Sequence, residues 1–190
     1  MNFIIASLVT IFSAMAPSNY YDHWRILPTE VVEWQIGDTM EYNLSVSFIS
    51  GKVVRSVVSE VEIGGDKAIW LTSETAILGQ KQKIEQLIRR SDATLLKLIV
   101  NGEEKPLPDP GKVEIVEEGY KTVTVPAGTF EAIWVKINTE DAKGVEAWIN
   151  PRDTCMDGML KMVSPTQMGK ATMELTKFKK VPSGKIVHLN

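Results

Sequence analysis

Apolar and polar residues alternate along much of this chain, with the period of two that is typical of a β-strand with one solvated face. The alternation is clearest from Met40 to Phe48, where an apolar residue occupies every second position. Further segments of this kind follow at short intervals, separated by typical turn sequences at Ser50-Gly51, Gly64-Gly65-Asp66 and Asn101-Gly102. The pattern predicts a mainly β protein with roughly ten antiparallel strands and few short helices.

Three of the predicted strands are apolar on both faces, namely Ile69–Leu71, Leu95–Ile99 and Ala132–Val135. This is unexpected for an antiparallel sheet with one solvated face. It indicates a curved sheet or half-barrel, which encloses either a fully packed core or an apolar cavity for a ligand. If there is a cavity, we expect aromatic residues to line it as ligand-binding residues: Phe48, Trp70, Phe130, Trp134 and Trp148.

The segment from Lys121 to Asn138 predicts a hairpin. Two stretches with strand composition, Thr122–Val125 and Phe130–Ile137, flank the sequence Pro-Ala-Gly. Pro126 presets the first corner of a turn, and Gly128 can adopt the positive φ that closes it.

The segment Ile84–Arg90 has two interpretations. Its apolar residues fall at i, i+3 and i+4, which would suit a short helix, but the segment could equally be a strand that leads into Thr94–Val100. We favour the strand.

The N-terminal residues predict export. Phe3–Ala16 is an uncharged, mostly apolar run, shorter than the about 20 residues that span a bilayer. An uncleaved anchor or a first buried strand is the alternative. We therefore expect a signal peptide at 1–18, one β-rich domain at 19–181 and a C-terminal tail at 182–190. The mature protein would then be periplasmic or secreted, with no transmembrane span.

Neither the charge nor the motifs point to catalysis or to nucleic acid. The net charge is −3 over 190 residues, which gives no general attraction to nucleic acid. The two histidines, His23 and His188, lie near opposite ends of the chain. The sequence has no HExxH, CxxC, G-x-S-x-G or Walker-type phosphate loop. We predict a protein that is not an enzyme and has no cofactor or metal.

Acidic residues and one cysteine remain as candidate chemistry. Cys155, the single cysteine, is interpreted as a loop or half-buried thiol rather than a nucleophile. Asp153 and Asp157 flank it and are interpreted as turn-forming residues, since two carboxylates are too few for calcium. The pairs Glu103-Glu104 and Glu117-Glu118 are expected to be solvated edges rather than an acid/base pair.

The C-terminal part is basic. Its lysines either protect an edge strand from aggregation, which we favour, or meet anionic headgroups or an acidic partner. The residues are Lys170, Lys177, Lys179, Lys180 and Lys185, against Glu174.

The C-terminal half also carries a family resemblance, between Gly119 and Lys180. The motifs are Val125–Phe130 (VPAGTF), then Ala147-Trp148-Ile149, then Gly158–Lys161, then Met173-Glu174-Leu175. In order and spacing they resemble a family of uncharacterised Gram-negative envelope proteins, similar in fold to the LolA and LolB lipoprotein carriers. The resemblance implies an envelope location, a curved sheet around an apolar cavity, and no catalytic residues.

Three functions follow as hypotheses. The first is a non-catalytic periplasmic protein that binds a lipid, a lipoprotein or another apolar ligand in a concave sheet. The second is an interaction component of a cell-envelope assembly, with a filled core and an envelope protein as its partner. The third is a hydrolase with an unrecognised site, which the missing base, nucleophile and metal ligands disfavour.

Overall fold

The computed structural model describes residues 34–108, 113–139 and 142–182. Within these ranges the chain forms eleven strands and no helix. The strands are β1 (Thr39–Val46), β2 (Ile49–Ile63), β3 (Asp66–Ile77), β4 (Gln80–Arg89), β5 (Leu95–Val100), β6 (Glu103–Lys105), β7 (Glu114–Val125), β8 (Gly128–Asn138), β9 (Lys143–Ile149), β10 (Met159–Thr166) and β11 (Gly169–Lys179).

All eleven strands belong to one antiparallel sheet, in the order β6-β5-β4-β3-β2-β1-β11-β10-β9-β8-β7. Strands that follow one another along the chain pair as hairpins, and β1 pairs with β11, which joins the two halves. Only β6 and β7 follow one another without pairing, so the curved sheet stays unclosed between them. The predicted mainly β architecture is confirmed, with β6 as an additional strand.

The structure assigns the ambiguous segment and the predicted hairpin. Ile84–Arg90 belongs almost entirely to β4, so the strand interpretation is confirmed. The predicted hairpin is formed by β7 and β8, with Val125 opposite Gly128 and a φ of 145° at Gly128. The predicted signal peptide, His23, His188 and the tail beyond residue 182 lie outside the described residues.

The interpretation of the C-terminal lysines as edge protection is wrong. Four of them belong to β11 or follow it directly, and β11 lies inside the sheet, between β1 and β10. The edges are β6 and β7, where glutamates are the commonest charged residues. Lys185 lies outside the described part.

The core lies against one face of the sheet. The register places Tyr42 opposite Leu175 and Leu44 opposite Met173 at the junction of β1 and β11, and Met162 of β10 lies opposite Met173. All five side chains are almost completely buried. We call this side of the sheet the core face. Along the described part of the chain, no helix is long and apolar enough to cross a membrane.

Candidate functional site

The loop between β9 and β10 packs against the core face, in contact with β1 and β2. This β9–β10 loop comprises Asn150–Gly158 and leads into β10. Thr154, Cys155 and Met156 at its middle are buried. The Tyr42 hydroxyl donates to the carbonyl of Met159, 3.1 Å away, just after the loop. The loop therefore packs against the core face and contributes buried residues to the core.

Short-range hydrogen bonds fold this loop, and Asn150 is their centre. Its side-chain amide donates to Asp153 Oδ2 at 2.7 Å, and its Oδ1 accepts the N–H of Asp153 at 2.9 Å. Its carbonyl accepts the hydroxyl of Thr154, and its N–H donates to the carbonyl of Gly158 at 2.8 Å. The interpretation of Asp153 as a turn-forming residue is confirmed.

Asp157 forms a turn, as predicted, because its Oδ1 accepts the main-chain N–H of Met159 at 3.3 Å. Asp157 also anchors the loop to β2. Both of its carboxylate oxygens meet the guanidinium of Arg55, Oδ1 at 2.9 Å and Oδ2 at 2.7 Å. The side chains of Arg55 and Asp157 are only 10% and 19% exposed. Paired, fork-like hydrogen bonds of this kind fix orientation as well as distance. Sequence reasoning missed this pair because its members lie 102 positions apart.

Tyr42 completes this buried cluster. Burial raises the pKa of the Tyr42 hydroxyl well above its ordinary value, although the charge of Arg55 opposes the shift. The tyrosine is therefore neutral at physiological pH and acts as a hydrogen-bond donor. Its role is structural, since its hydroxyl is bonded to Met159.

Cys155 should be unreactive in the folded protein. Burial raises the pKa of the Cys155 thiol to about 12, from 9.0, and the charges of Asp38 and Asp157 add to this shift. The thiolate fraction at pH 8 is then about a thousandfold lower than for an exposed thiol. We expect alkylation by iodoacetamide to be at least that much slower in native than in urea-unfolded protein. Comparable rates in the two states would contradict this burial.

The five predicted ligand-binding residues are distributed over the sheet. Trp134 and Trp148 lie directly opposite each other on β8 and β9. Trp134 is 4% exposed, its Nε1 donates to Glu146, and the Lys121 ammonium lies over its ring. The structure therefore brings these two tryptophans together on a face that a lysine covers.

The other three aromatic residues are separate from this pair. Phe130 packs edge-on against Phe178, with 6.4 Å between ring centroids. Trp70 is half-buried on β3, opposite Leu87 of β4. Phe48 lies in the turn between β1 and β2 and is 88% exposed. The role of all five aromatic residues in ligand binding stays a prediction.

The second notable surface comprises β6 and β7, the two edge strands of the sheet as far as the structure describes it. The expectation of solvated edges is confirmed for both glutamate pairs, since all four residues are exposed. Glu104 pairs with Lys97, and Glu103 pairs with Lys105. Large apolar side chains are also exposed on β7 and just after β6: Leu107 48%, Ile115 37%, Val116 51% and Tyr120 79%. Among the described residues there is no cluster of three or more acidic, histidine or cysteine side chains that could hold a metal ion.

Known proteins give few relatives for this chain. No protein-family model matches it, and no curated protein matches it in sequence. The solved structures similar to it include three from different organisms. A predicted exported protein with a YmcC-like fold from Bacteroides fragilis is 14% identical, with a TM-score of 0.49 over 78% of this chain and 98% of that one.

The other two are comparably distant. A predicted lipoprotein from Parabacteroides distasonis is 10% identical, with a TM-score of 0.46 over 78% of this chain and 98% of that one. A chain of the MucA/MucB complex of Pseudomonas aeruginosa is 15% identical, with a TM-score of 0.45 over 89% of this chain and 59% of that one. The resemblance to LolA and LolB stays a prediction.

Proposed function

We propose that this protein is a non-catalytic binding protein of the cell envelope that acts through protein contacts at its surface. One observation carries the proposal: the β9–β10 loop packs against the core face, adds Cys155 and Met156 to the core and is fixed there by the buried pair of Arg55 and Asp157. Where the chain covers its own core face, its outer surface and its edges are left for recognition.

The chemistry of the described residues supports a role in binding. Catalytic groups need an accessible position and a pKa near the working pH. Cys155 is buried and protonated, and the carboxylate of Asp157 is held by an arginine. The exposed glutamates lie on sheet edges that expose large apolar side chains, an arrangement that suits contact with another polypeptide. The apolar run Phe3–Ala16, read as an export signal, supports an envelope location.

Two measurements test the proposal: whether lipid remains bound to the purified protein, and which envelope protein crosslinks to its surface. We expect native mass spectrometry of protein purified from the envelope fraction to show polypeptide without bound lipid. A photocrosslinking residue at Leu107, just after the edge strand β6, should give a discrete adduct with an envelope protein. The control is the same residue at Phe48, which is also exposed but remote from both edges. Retained lipid without an edge-specific adduct would contradict the proposal.

A second candidate is binding of a lipid or lipoprotein by the curved sheet. The gap between β6 and β7 favours it, because Leu107, Ile115 and Val116 expose apolar surface beside that gap. The ligand would be expected to contact the predicted aromatic set of Phe48, Trp70, Phe130, Trp134 and Trp148.

This candidate has its own test. If the aromatic set binds a ligand, Trp70→Ala and Trp148→Ala should each reduce bound lipid in native mass spectra severalfold. Lys81→Ala, at an exposed position of β4, is the control. Lipid binding that neither tryptophan variant changes would remove these residues from the site.

A further inference from the structure

Among the described residues, strand β7 lies at an edge of the sheet. It pairs with β8 on one side and ends the sheet on the other. In the two-residue turn that follows β7, the closing residues Val125 and Gly128 exchange main-chain hydrogen bonds. The alternation of an antiparallel ladder then turns the N–H and C=O groups of every second residue outward. Toward the start of the strand these residues are Thr124, Thr122, Tyr120 and Glu118.

This edge has no partner in the described part of the chain. A long, exposed edge of this kind is a template for pairing with another strand, and proteins usually shorten or cover it. The opposite edge, β6, has only three residues, whereas β7 has twelve. Tyr120 is 79% exposed and Val116 is 51% exposed on the same strand. Strand β7 can therefore contribute both main-chain hydrogen bonds and apolar surface to an interface with another strand.

The charges of β7 are self-complementary about Gly119. Glu117 lies two positions before this glycine, and Lys121 lies two positions after it. Because side chains alternate along a strand, all three positions share one face, the face on which Trp134 lies opposite Gly119. Glu117 has no ion pair or side-chain hydrogen bond with any described residue. The Lys121 ammonium lies over the ring of Trp134 and forms no ion pair with a described residue.

We propose that two copies of this protein associate edge to edge, through antiparallel pairing of their β7 strands about a two-fold axis at Gly119. In this register Glu118 and Tyr120 of the partner subunit exchange main-chain hydrogen bonds, and Gly119 faces its own copy across the axis. Glu117 then lies opposite Lys121 of the partner subunit, and the symmetry repeats this ion pair. A two-fold interface of this kind is closed, so it yields a dimer and not a fibre.

Local geometry permits the close approach at the axis. Main chains in a pair without hydrogen bonds come within about 4.5 Å at Cα, which brings the side chains close together. Gly119 has no side chain, and a Cβ built on it would meet no atom within 4 Å. The partner's Glu117 would reach the Lys121 ammonium above the ring of Trp134. Because β7 contains several glutamates, two copies of the strand would repel each other in most registers. The register about Gly119 instead places Glu117 opposite Lys121 of the partner subunit.

The test is the oligomeric state of the purified protein, measured by sedimentation velocity over about two orders of magnitude in concentration. We expect a reversible monomer–dimer equilibrium. Either Glu117→Lys or Lys121→Glu should weaken the dimer about tenfold, because each change places like charges opposite each other twice. The double variant Glu117→Lys/Lys121→Glu restores opposite charges and should recover the dimer. Circular dichroism shows that each variant is folded.

Two controls separate this interface from others. Glu74→Lys reverses an exposed charge on the internal strand β3, which makes no ion pair in the described structure, and should leave the dimer unchanged. Tyr120→Pro removes an outward N–H without removing a bond to β8 and should abolish the dimer. A monomer at every concentration would overturn the proposal. The proposal would also be overturned if neither charge reversal weakened the dimer, or if the double variant did not restore it. These outcomes leave the proposed binding of an envelope protein untouched, because its crosslink is scored on a different partner.

Discussion

Replacing Gly158 with alanine is expected to destabilise the protein by about 4 kcal/mol, which is near the upper end for a single substitution. Gly158 ends the β9–β10 loop with a φ of +70°, a backbone conformation that residues with a side chain rarely adopt. A Cβ there would lie 2.1 Å from the Pro151 nitrogen, 2.4 Å from the Asn150 carbonyl carbon and 2.5 Å from the Pro151 Cα. These atoms belong to the main chain and cannot move without opening the loop.

The measurement is urea unfolding followed by tryptophan fluorescence. Gly79→Ala is the matched control, because Gly79 has nearly the same φ of +75° but no heavy atom within 4 Å of a built Cβ. That variant should lose only the about 1 kcal/mol that the left-handed conformation costs. Equal losses in the two variants would contradict the close approach at Gly158 and leave backbone strain as the whole effect.

Local signals in the sequence were sufficient to predict most of the sheet. Alternation and turn residues are properties of neighbouring positions, so β1, β2, β3 and the β7–β8 hairpin could be located without knowing their partners. Strand β6 was missed for the same reason. Its three residues, Glu103–Lys105, are polar and do not alternate, and they form a strand only because β5 supplies the pairing.

Strand order and the contacts of the β9–β10 loop could not be predicted in this way. The placement of β11 inside the sheet depends on its pairing with β1, more than a hundred residues away. The hydrogen bond from Tyr42 to Met159 spans 117 positions. The sequence around Tyr42 does not indicate Met159 as its partner, and the sequence around Met159 does not indicate Tyr42. The wrong interpretation of the C-terminal lysines and the missed role of Asp157 both follow from this.

The segments that are apolar on both faces now have a physical explanation at β8. Val135 lies opposite Ala147 on one face, and Trp134 lies opposite Trp148 on the other. Val135 and Ala147 belong to the main core. Trp134 is buried on its own face, with the Lys121 ammonium over its ring. The apolar residue on the second face thus packs beside Trp148 and under the Lys121 ammonium. The role of Trp134 in ligand binding stays a prediction.

Replacing Arg55 with methionine is expected to cost about 3 kcal/mol of unfolding free energy. Methionine retains the apolar stem but leaves the Asp157 carboxylate, 19% exposed, without its cation. Losing one partner of a buried pair is expensive because the other charge stays desolvated. The comparison is Lys177→Met, which removes one member of the pair with Glu41, whose side chains are 73% and 46% exposed. That change should cost no more than about 0.5 kcal/mol.

A second substitution distinguishes an unpaired charge from lost packing. Adding Asp157→Asn to Arg55→Met removes the stranded carboxylate and should recover part of the loss, measured by urea unfolding of all four members of the cycle. The rate of Cys155 alkylation reports on the loop itself: it should rise in Arg55→Met, because the contact that holds Asp157 against β2 is gone, and stay low in Lys177→Met. If alkylation stays slow in Arg55→Met while stability falls, the loop is held by its buried Thr154, Cys155 and Met156, and the ion pair does not anchor it. If both readouts change together, the pair is what holds the loop against the core face.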